Sequence, residues 1–285
     1  MGDRHLASDG LVARESGRWA EDKLYYLQRY FYAFNQATKA IFERRVYIDL
    51  LAGPGRCFLK DNPSEEFSGS PLRALLCESP FTDHLFIEGD PKSVSALEAR
   101  LEAFQPGAGS LVHRGDANAP ETIARIRELL NGRKTLGLVF VDTLGLSDVA
   151  FDTLRQLAES RRFDLIYTFH EQDVTRNMNE ALINSAEAAR WTASFGNTDW
   201  AIAWRAHVSG QAGTVSIADA LTSFFEFRLQ DGLGYPHVTS LHRLMKNSRN
   251  APLYRLILAS HDDLAPKLWR GISAIEPSGQ RGFAF

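Results

Sequence analysis

A mostly parallel α/β sheet with helices on both faces, closed by an antiparallel hairpin, is predicted by three features of the 285-residue sequence. Strand-like and helix-like segments alternate from "VYIDLL" to "FDLIYTF" at the spacing of successive βαβ units. Strand runs such as "LGLVFV" are apolar throughout, as expected where both faces of a sheet are covered. Near the end, "HVTSLHRLMK" and "PLYRLILAS" flank the turn-like "NSRNA", the pattern of two antiparallel strands.

Residues 1–18 are polar and read as a flexible N-terminal arm. From Trp19 to about Arg45, Leu24, Leu27, Phe31, Phe34, Thr38 and Ile41 recur at steps of three and four, which predicts a helix. Tyr25, Tyr26, Tyr30 and Tyr32 make that helix unusually aromatic. Such a stripe either packs across a sheet or offers bases a stacking surface. "VYIDLL" is the first strand, and "SPLRALLC" its helix, with Ser70 as N-cap and Pro71 at its first position. Strands "HLFIE", "SLVHR", "TLGLVFVD" and "FDLIYTF" then alternate with helices "PKSVSALEARLEAF", "PETIARIRELLN" and "AFDTLRQLAES". After Phe169 the alternation stops, and residues 175–232 read as a helical insertion of two or three helices. "DDLAPKLWRGISAIE" adds a last helix. Five parallel strands followed by an antiparallel pair give a seven-stranded sheet. That is the Rossmann-like layout of class I methyltransferases, whereas a dinucleotide-binding sheet would have six parallel strands. The expectation is one such domain over residues 19–285.

Composition narrows the function classes. Apolar residues make up 44% of the chain, enough for a sizeable core, and the net charge of −3 excludes a globally basic surface but not a local basic cleft. Cys57 and Cys77 are the only cysteines, too few for a disulfide framework or a Cys-rich metal site, and they fit a reducing cytoplasm. The first residues lack the apolar run of a signal peptide, Leu6 breaks the myristoylation pattern, and no apolar stretch is long enough to span a membrane.

In such sheets, ligands bind beyond the carboxyl ends of the strands. Strand one ends in Asp49 and runs into "LLAGPGR", where Ala52, Gly53 and Gly55 form a turn that lets a ligand approach the backbone. Strand two ends in Glu88, an acceptor suited to a ribose diol, and strand three leads to Asp116 and Ala117, placed for an adenine amine. Acids at successive strand ends disfavour a phosphate-rich ligand, and no GxxxxGK[ST] loop is present. A ligand with a ribose, an adenine and an ammonium group fits, and S-adenosylmethionine has all three, with Asp49 or backbone carbonyls near Gly53 expected to face the ammonium. The polar stretch "RCFLKDNPSEEFSG" would hang over this site as a loop.

An ordered set of motifs carries a family resemblance: "WAEDKLYYLQRYFYAF", "YIDLLAGPGR", "GSPLRAL", "FIEGDP", "GDAN", "VFVDTLGL", the "RN" of "VTRN", and "PLYRLILAS". From about Trp19 to Ala284 the chain resembles the three-Cys-motif partner proteins. The resemblance implies a class I methyltransferase fold and a partner protein bearing a three-cysteine motif, itself similar to radical-SAM or phage proteins. It does not supply the substrate. The chain departs from the family in having "DTLG" in place of an Asp-Pro-Phe-Gly type motif, and "FHEQD" in place of a small or apolar segment. Both departures fall on the chemistry and not on the fold.

Candidate catalytic residues are Asp142, at the end of strand four, and His170 with Glu171, just after strand five. Asp142 would position an acceptor amine or hydroxyl; the other two would serve as acid and base. Candidate substrate contacts are Arg56, Asp173, Arg176 and Asn177. Arg176 either holds a phosphate or pairs with Glu171 or Asp173. No metal site is expected. The hairpin carries His242, Arg243, Lys246 and Arg249, with Arg255 opposite, a basic concentration suited to nucleic acid. The function expected is S-adenosylmethionine-dependent methyl transfer to a nucleic acid or nucleotide. The alternatives are a non-catalytic adaptor for the cysteine-motif partner and, last, a metal-dependent nuclease.

Overall fold

The computed structural model describes residues 6–104, 109–143, 145–210, 215–240, 245–246 and 252–275. A short strand, β1 (Arg14–Ser16), precedes the aromatic helix α1 (Arg18–Thr38). The first core strand, β2 (Arg44–Asp49), leads through the glycine turn into a hairpin, β3 (Arg56–Leu59) and β4 (Asn62–Ser68), and then α2 (Ser70–Leu75). The alternation follows: β5 (Asp83–Glu88), α3 (Pro91–Phe104), β6 (Ser110–Arg114), α4 (Pro120–Leu130), β7 (Thr135–Val141), α5 (Phe151–Ala158) and β8 (Phe163–Phe169). Four helices come next: α6 (Glu171–Ile183), α7 (Ser185–Phe195), α8 (Trp200–Val208) and α9 (Ile217–Leu233). Strands β9 (His237–Ser240), β10 (Met245–Lys246) and β11 (Pro252–Ser260) and helix α10 (Leu264–Ser273) complete the described chain.

The main sheet has the order β10-β11-β8-β7-β2-β5-β6, with β9 also paired to β11. Strands β6, β5, β2, β7 and β8 are mutually parallel, and β11 is antiparallel to β8, in the register Arg255↔Phe169 through Ala259↔Leu165. This is the Rossmann-like order of class I methyltransferases. Its outermost place, beside β11, is divided between β9 and β10, so eight strands fill seven places. The chain leaves β2 toward β5 and β6, then crosses back to β7, which puts the switch point between β2 and β7.

Alternate residues of the strands feed two cores. Leu138, Phe140 and Ile166 face α1, α2 and α10, where Tyr30 meets Trp269 edge to face and Phe31 meets Tyr47. The aromatic helix is thus mostly core, although Tyr32 is exposed. Helix α3 packs on this first core through Leu97 and Leu101, while Val139, Val141 and Leu165 face α4, α5 and the helices that follow β8. There the insertion buries Trp191, Phe195, Trp200 and Phe225 against the sheet, so these helices form its second cover and begin the crossover to β9. They number four because Asn184 interrupts the first: its side chain caps α7 by accepting from the amides of Ala186 and Glu187.

Two expectations are corrected. The stretch after Arg56 is not an irregular loop but the β3–β4 hairpin. The arm is not loose over residues 6–18: β1 lies parallel on β3, Leu6 bridges to Val12, and Asp9 pairs with the buried Arg100. Together β1, β3 and β4 form a separate three-stranded sheet beside the cleft. Although several of its side chains are exposed, the arm is tied down through Arg100, which binds Asp9 and the Val12 carbonyl. No described helix is long and apolar enough to cross a membrane. His242, Arg243 and Arg249 lie outside the described residues.

Candidate active site

The glycine turn after β2 is held from three sides. Gly53 and Gly55 have φ of +66° and +84°, a region that glycine tolerates and other residues resist. A Cβ on Gly55 would come within 2.9 Å of the Leu97 side chain, so the turn also needs the missing atom. Beneath it, Asp49 is fully buried, accepting from the Tyr47 hydroxyl at 3.0 Å and the Leu51 amide at 3.3 Å. Burial, with Asp142 nearby, pushes its carboxyl up to about 6 against the hydrogen bonds of Ser70 and Tyr47. Asp49 lines neither cavity described below and acts as a foundation of the turn.

At the end of β5, Glu88 accepts the Gly53 amide on Oε2 at 2.8 Å and the Asp90 amide on Oε1 at 2.7 Å. Both oxygens are therefore fixed, and each retains acceptor capacity for a further donor. After β6, Asp116 accepts on Oδ1 from the Asn118 amide and side chain, and Asn118 in turn ties this loop to the one after β7 through the Asp148 carbonyl and the Ala150 amide. Glu88, Asp116 and Ala117 line one cavity of about 620 Å³. Gly53, Trp19, Lys23, His170 and Tyr254 line a second of about 280 Å³, and Ala52 and Gly55 share its wall. Arg14 and Asp142 border both. The two cavities form one cleft over the switch point.

Asp142 is not an open carboxylate. Lys23 donates to its two oxygens at 2.6 and 2.5 Å, with both side chains nearly buried. Burial alone would raise the Asp142 carboxyl, but Lys23, Arg14 and His170 together hold it below its ordinary value. Lys23 also lies 5.2 Å from the centre of the Tyr254 ring, and the Tyr254 hydroxyl donates to the Trp19 carbonyl. His170 contacts the Thr143 carbonyl through Nε2 at 2.5 Å. A carbonyl can only accept, so Nε2 carries the hydrogen and Nδ1 is the basic nitrogen. Burial holds the imidazole pKa below its ordinary value despite Asp142, leaving the ring neutral near neutral pH.

The other candidates are placed elsewhere. Glu171 directly follows His170 but starts a helix, where successive side chains diverge by about 100°. It is buried on the far side, paired with Arg255, which also holds Asp219. This corrects the assignment of Glu171 as a catalytic partner of His170. Burial raises its carboxyl, with Arg255 opposing. Asp173 is also structural: it accepts from the Leu146 amide at 2.8 Å and the Asn177 side chain at 2.5 Å, pinning the loop after β7. Arg176 is exposed and pairs with neither Glu171 nor Asp173. Arg56 turns from the cleft to Glu66 and Ser8 at 3.1 Å.

Sequence reasoning missed Arg14, Lys23, Trp19 and Tyr254. Lys23 had a signal: it is in step with Leu27, Tyr30 and Phe34, so a lysine falls on the buried face of α1. Arg14 had none, because its position depends on the arm docking. Of the strand-end acids, Glu88, Asp116 and Asp142 share the larger cavity, and Asp49 lies beneath the turn outside it. Among the described residues no three His, Cys, Asp or Glu side chains are grouped to hold a metal ion.

No family model matches the chain, and no curated protein does. Solved structures resembling it include protein LPL1258 of Legionella pneumophila (11% identity, 90% of each chain covered, TM-score 0.49). The METTL16 methyltransferase domain has 12% identity over 91% of this chain and 73% of that one, at a TM-score of 0.42. M. jannaschii TYW2 in complex with AdoMet has 11% identity over 84% and 74%, at 0.37. Scores this low carry no weight of their own; the fold assignment rests on the strand order.

Proposed function

We propose that this cleft binds S-adenosylmethionine and that the chain transfers its methyl group to an amine of a nucleotide or nucleic acid. The observation that carries the reading is the Glu88 carboxylate, fixed through both oxygens by the Gly53 and Asp90 amides beside the switch point. That carboxylate is pre-oriented to accept from a ribose diol, and Asp116 stands one strand further along for the adenine amine. The carboxylate acceptors Glu88 and Asp116 suit a neutral nucleoside better than a polyphosphate.

When bound, S-adenosylmethionine supplies the electrophilic methyl group. The chain's own contribution is placement and proton handling. Trp19 and Tyr254 give the smaller cavity aromatic walls on which a planar base can stack. His170, neutral with Nδ1 as its basic nitrogen, is the group able to take a proton from an acceptor amine. The test is transfer of labelled methyl from S-adenosylmethionine to nucleotides, RNA and DNA, comparing the wild type with His170→Ala. Transfer that falls by roughly 10²-fold or more in the variant supports the reading. Cofactor binding with no transfer to any acceptor class contradicts its catalytic half.

One observation favours the second reading, a non-catalytic adaptor. Lys23 takes up both oxygens of Asp142, the residue at the position expected to orient an acceptor. The resemblance to three-Cys-motif partner proteins supports a cysteine-motif protein as its partner. Stable co-purification with such a protein, without transfer by either component or by the complex, is the result this reading expects.

A further inference from the structure

Arg14 borders both cavities, yet the sequence offers no reason to place it there. Its Nη1 lies 3.9 Å from where a Cβ on Gly53 would sit, so the guanidinium hangs over the glycine turn. It makes no hydrogen bond or ion pair with a described residue. The acids close to it are already engaged: Asp142 by Lys23, and the exposed Glu15 by Lys60 at 3.4 Å. A half-buried cation therefore faces the small cavity with only Asp142, which Lys23 already holds, to offset it, while the large cavity presents Glu88, Asp116 and Asp148. A ligand lying across both would set hydrogen-bond donors against the acids and an anion against Arg14.

We propose that Arg14 recognises the α-carboxylate of the cofactor's amino-acid part. The inference rests on the cofactor reading above and extends it to a residue outside the main sheet. A carboxylate matches the fork of a guanidinium, which can donate two parallel bonds to it. The docked arm fixes the placement. β1 pairs Arg14 with Cys57 of β3, and Arg100 ties the preceding residues to the same glycine turn, binding Asp9, the Val12 carbonyl and the Pro54 carbonyl. Cofactor affinity and arm docking are thereby coupled.

The test compares S-adenosylmethionine with its decarboxylated form, which keeps the adenosine, the sulfonium and the amine. Each is titrated calorimetrically into the wild type, Arg14→Gln and Arg14→Lys. The wild type should bind the carboxylate-bearing compound about 10- to 100-fold more tightly. Arg14→Gln should lose that preference by weakening S-adenosylmethionine alone, and Arg14→Lys should restore part of it. Equal wild-type affinity for the two compounds overturns the proposal and leaves the cofactor reading standing. Equal weakening of both by Arg14→Gln overturns it too, because that marks a structural role. If the wild type binds neither, the cofactor reading fails and this inference with it.

Discussion

Replacing Arg100 by methionine should release the N-terminal arm while the main sheet stays folded. Arg100 is only 2% exposed, and its guanidinium binds Asp9 through Nε at 2.8 Å and Nη2 at 2.9 Å. Nη1 adds the carbonyls of Val12 at 2.9 Å and Pro54 at 2.5 Å. Methionine retains much of the stem's volume but strands all of these acceptors. Breaking a buried ion pair from one side costs about 3–5 kcal/mol. Asp9 is partly exposed and can rehydrate once the arm lifts, so the lower figure applies. The remaining ties are the three register pairs of β1 with β3 and surface ion pairs such as Arg18–Glu65, each worth about 0–1 kcal/mol. A loss of about 3 kcal/mol raises the open population of the arm roughly 150-fold. Hydrogen exchange reads this directly: amides of Arg14–Ser16 should lose protection by about that factor, while those of β7 keep theirs. Unchanged protection of β1 in Arg100→Met would refute the reasoning, as would an equal loss in β7.

Three further outcomes are expected. Lys23→Met leaves Asp142 buried without its partner and should cost about 3–5 kcal/mol at neutral pH. The Asp142 pKa then rises above its unfolded value, so urea titrations should show stability recovering as pH falls; a loss independent of pH would contradict the pair's role. Asp164 is buried, bonded to the Tyr30 hydroxyl, and raised from 3.8 to about 6, chiefly by burial. Between about pH 4 and 6 the folded chain therefore keeps a proton that the unfolded chain has lost, and this residue's contribution falls as pH rises. Measured by urea unfolding, Asp164→Asn should gain on the wild type by up to about 3 kcal/mol across that window, and a flat difference would show the shift to be absent. Glu171→Gln weakens the tie to Arg255 and should lower the melting temperature without changing cofactor affinity; a selective loss of affinity would return Glu171 to the site.

The parallel core was legible because strands covered on both faces carry an unbroken apolar signature, as "LGLVFV" does. The glycine turn was legible for a related local reason: Gly53 and Gly55 supply conformations that few other residues adopt. What escaped depended on distant partners. The strand "NPSEEFS" is polar and has no buried residue, so nothing in it separates an edge strand from a loop. Arg56 stands next to the turn in sequence, but Glu66 and Ser8 draw it away, while Arg14, some forty positions earlier, reaches the cleft through the docked arm. His170 and Glu171 are neighbours in the chain with different surroundings, the Thr143 carbonyl for one and Arg255 for the other, because a helix starts between them. Local pattern thus located the cleft, and long-range electrostatics determined which charges line it.

The measurement that bears most directly on the central claim is calorimetric titration of the purified chain with S-adenosylmethionine and S-adenosylhomocysteine, run beside Glu88→Ala. Glu88 is half-buried and its substitution leaves the sheet's apolar contacts intact, so the variant should remain folded. The account predicts micromolar binding of both compounds by the wild type and its loss in the variant. A well-folded wild type that binds neither compound, or a Glu88→Ala variant that binds both as tightly, would contradict it.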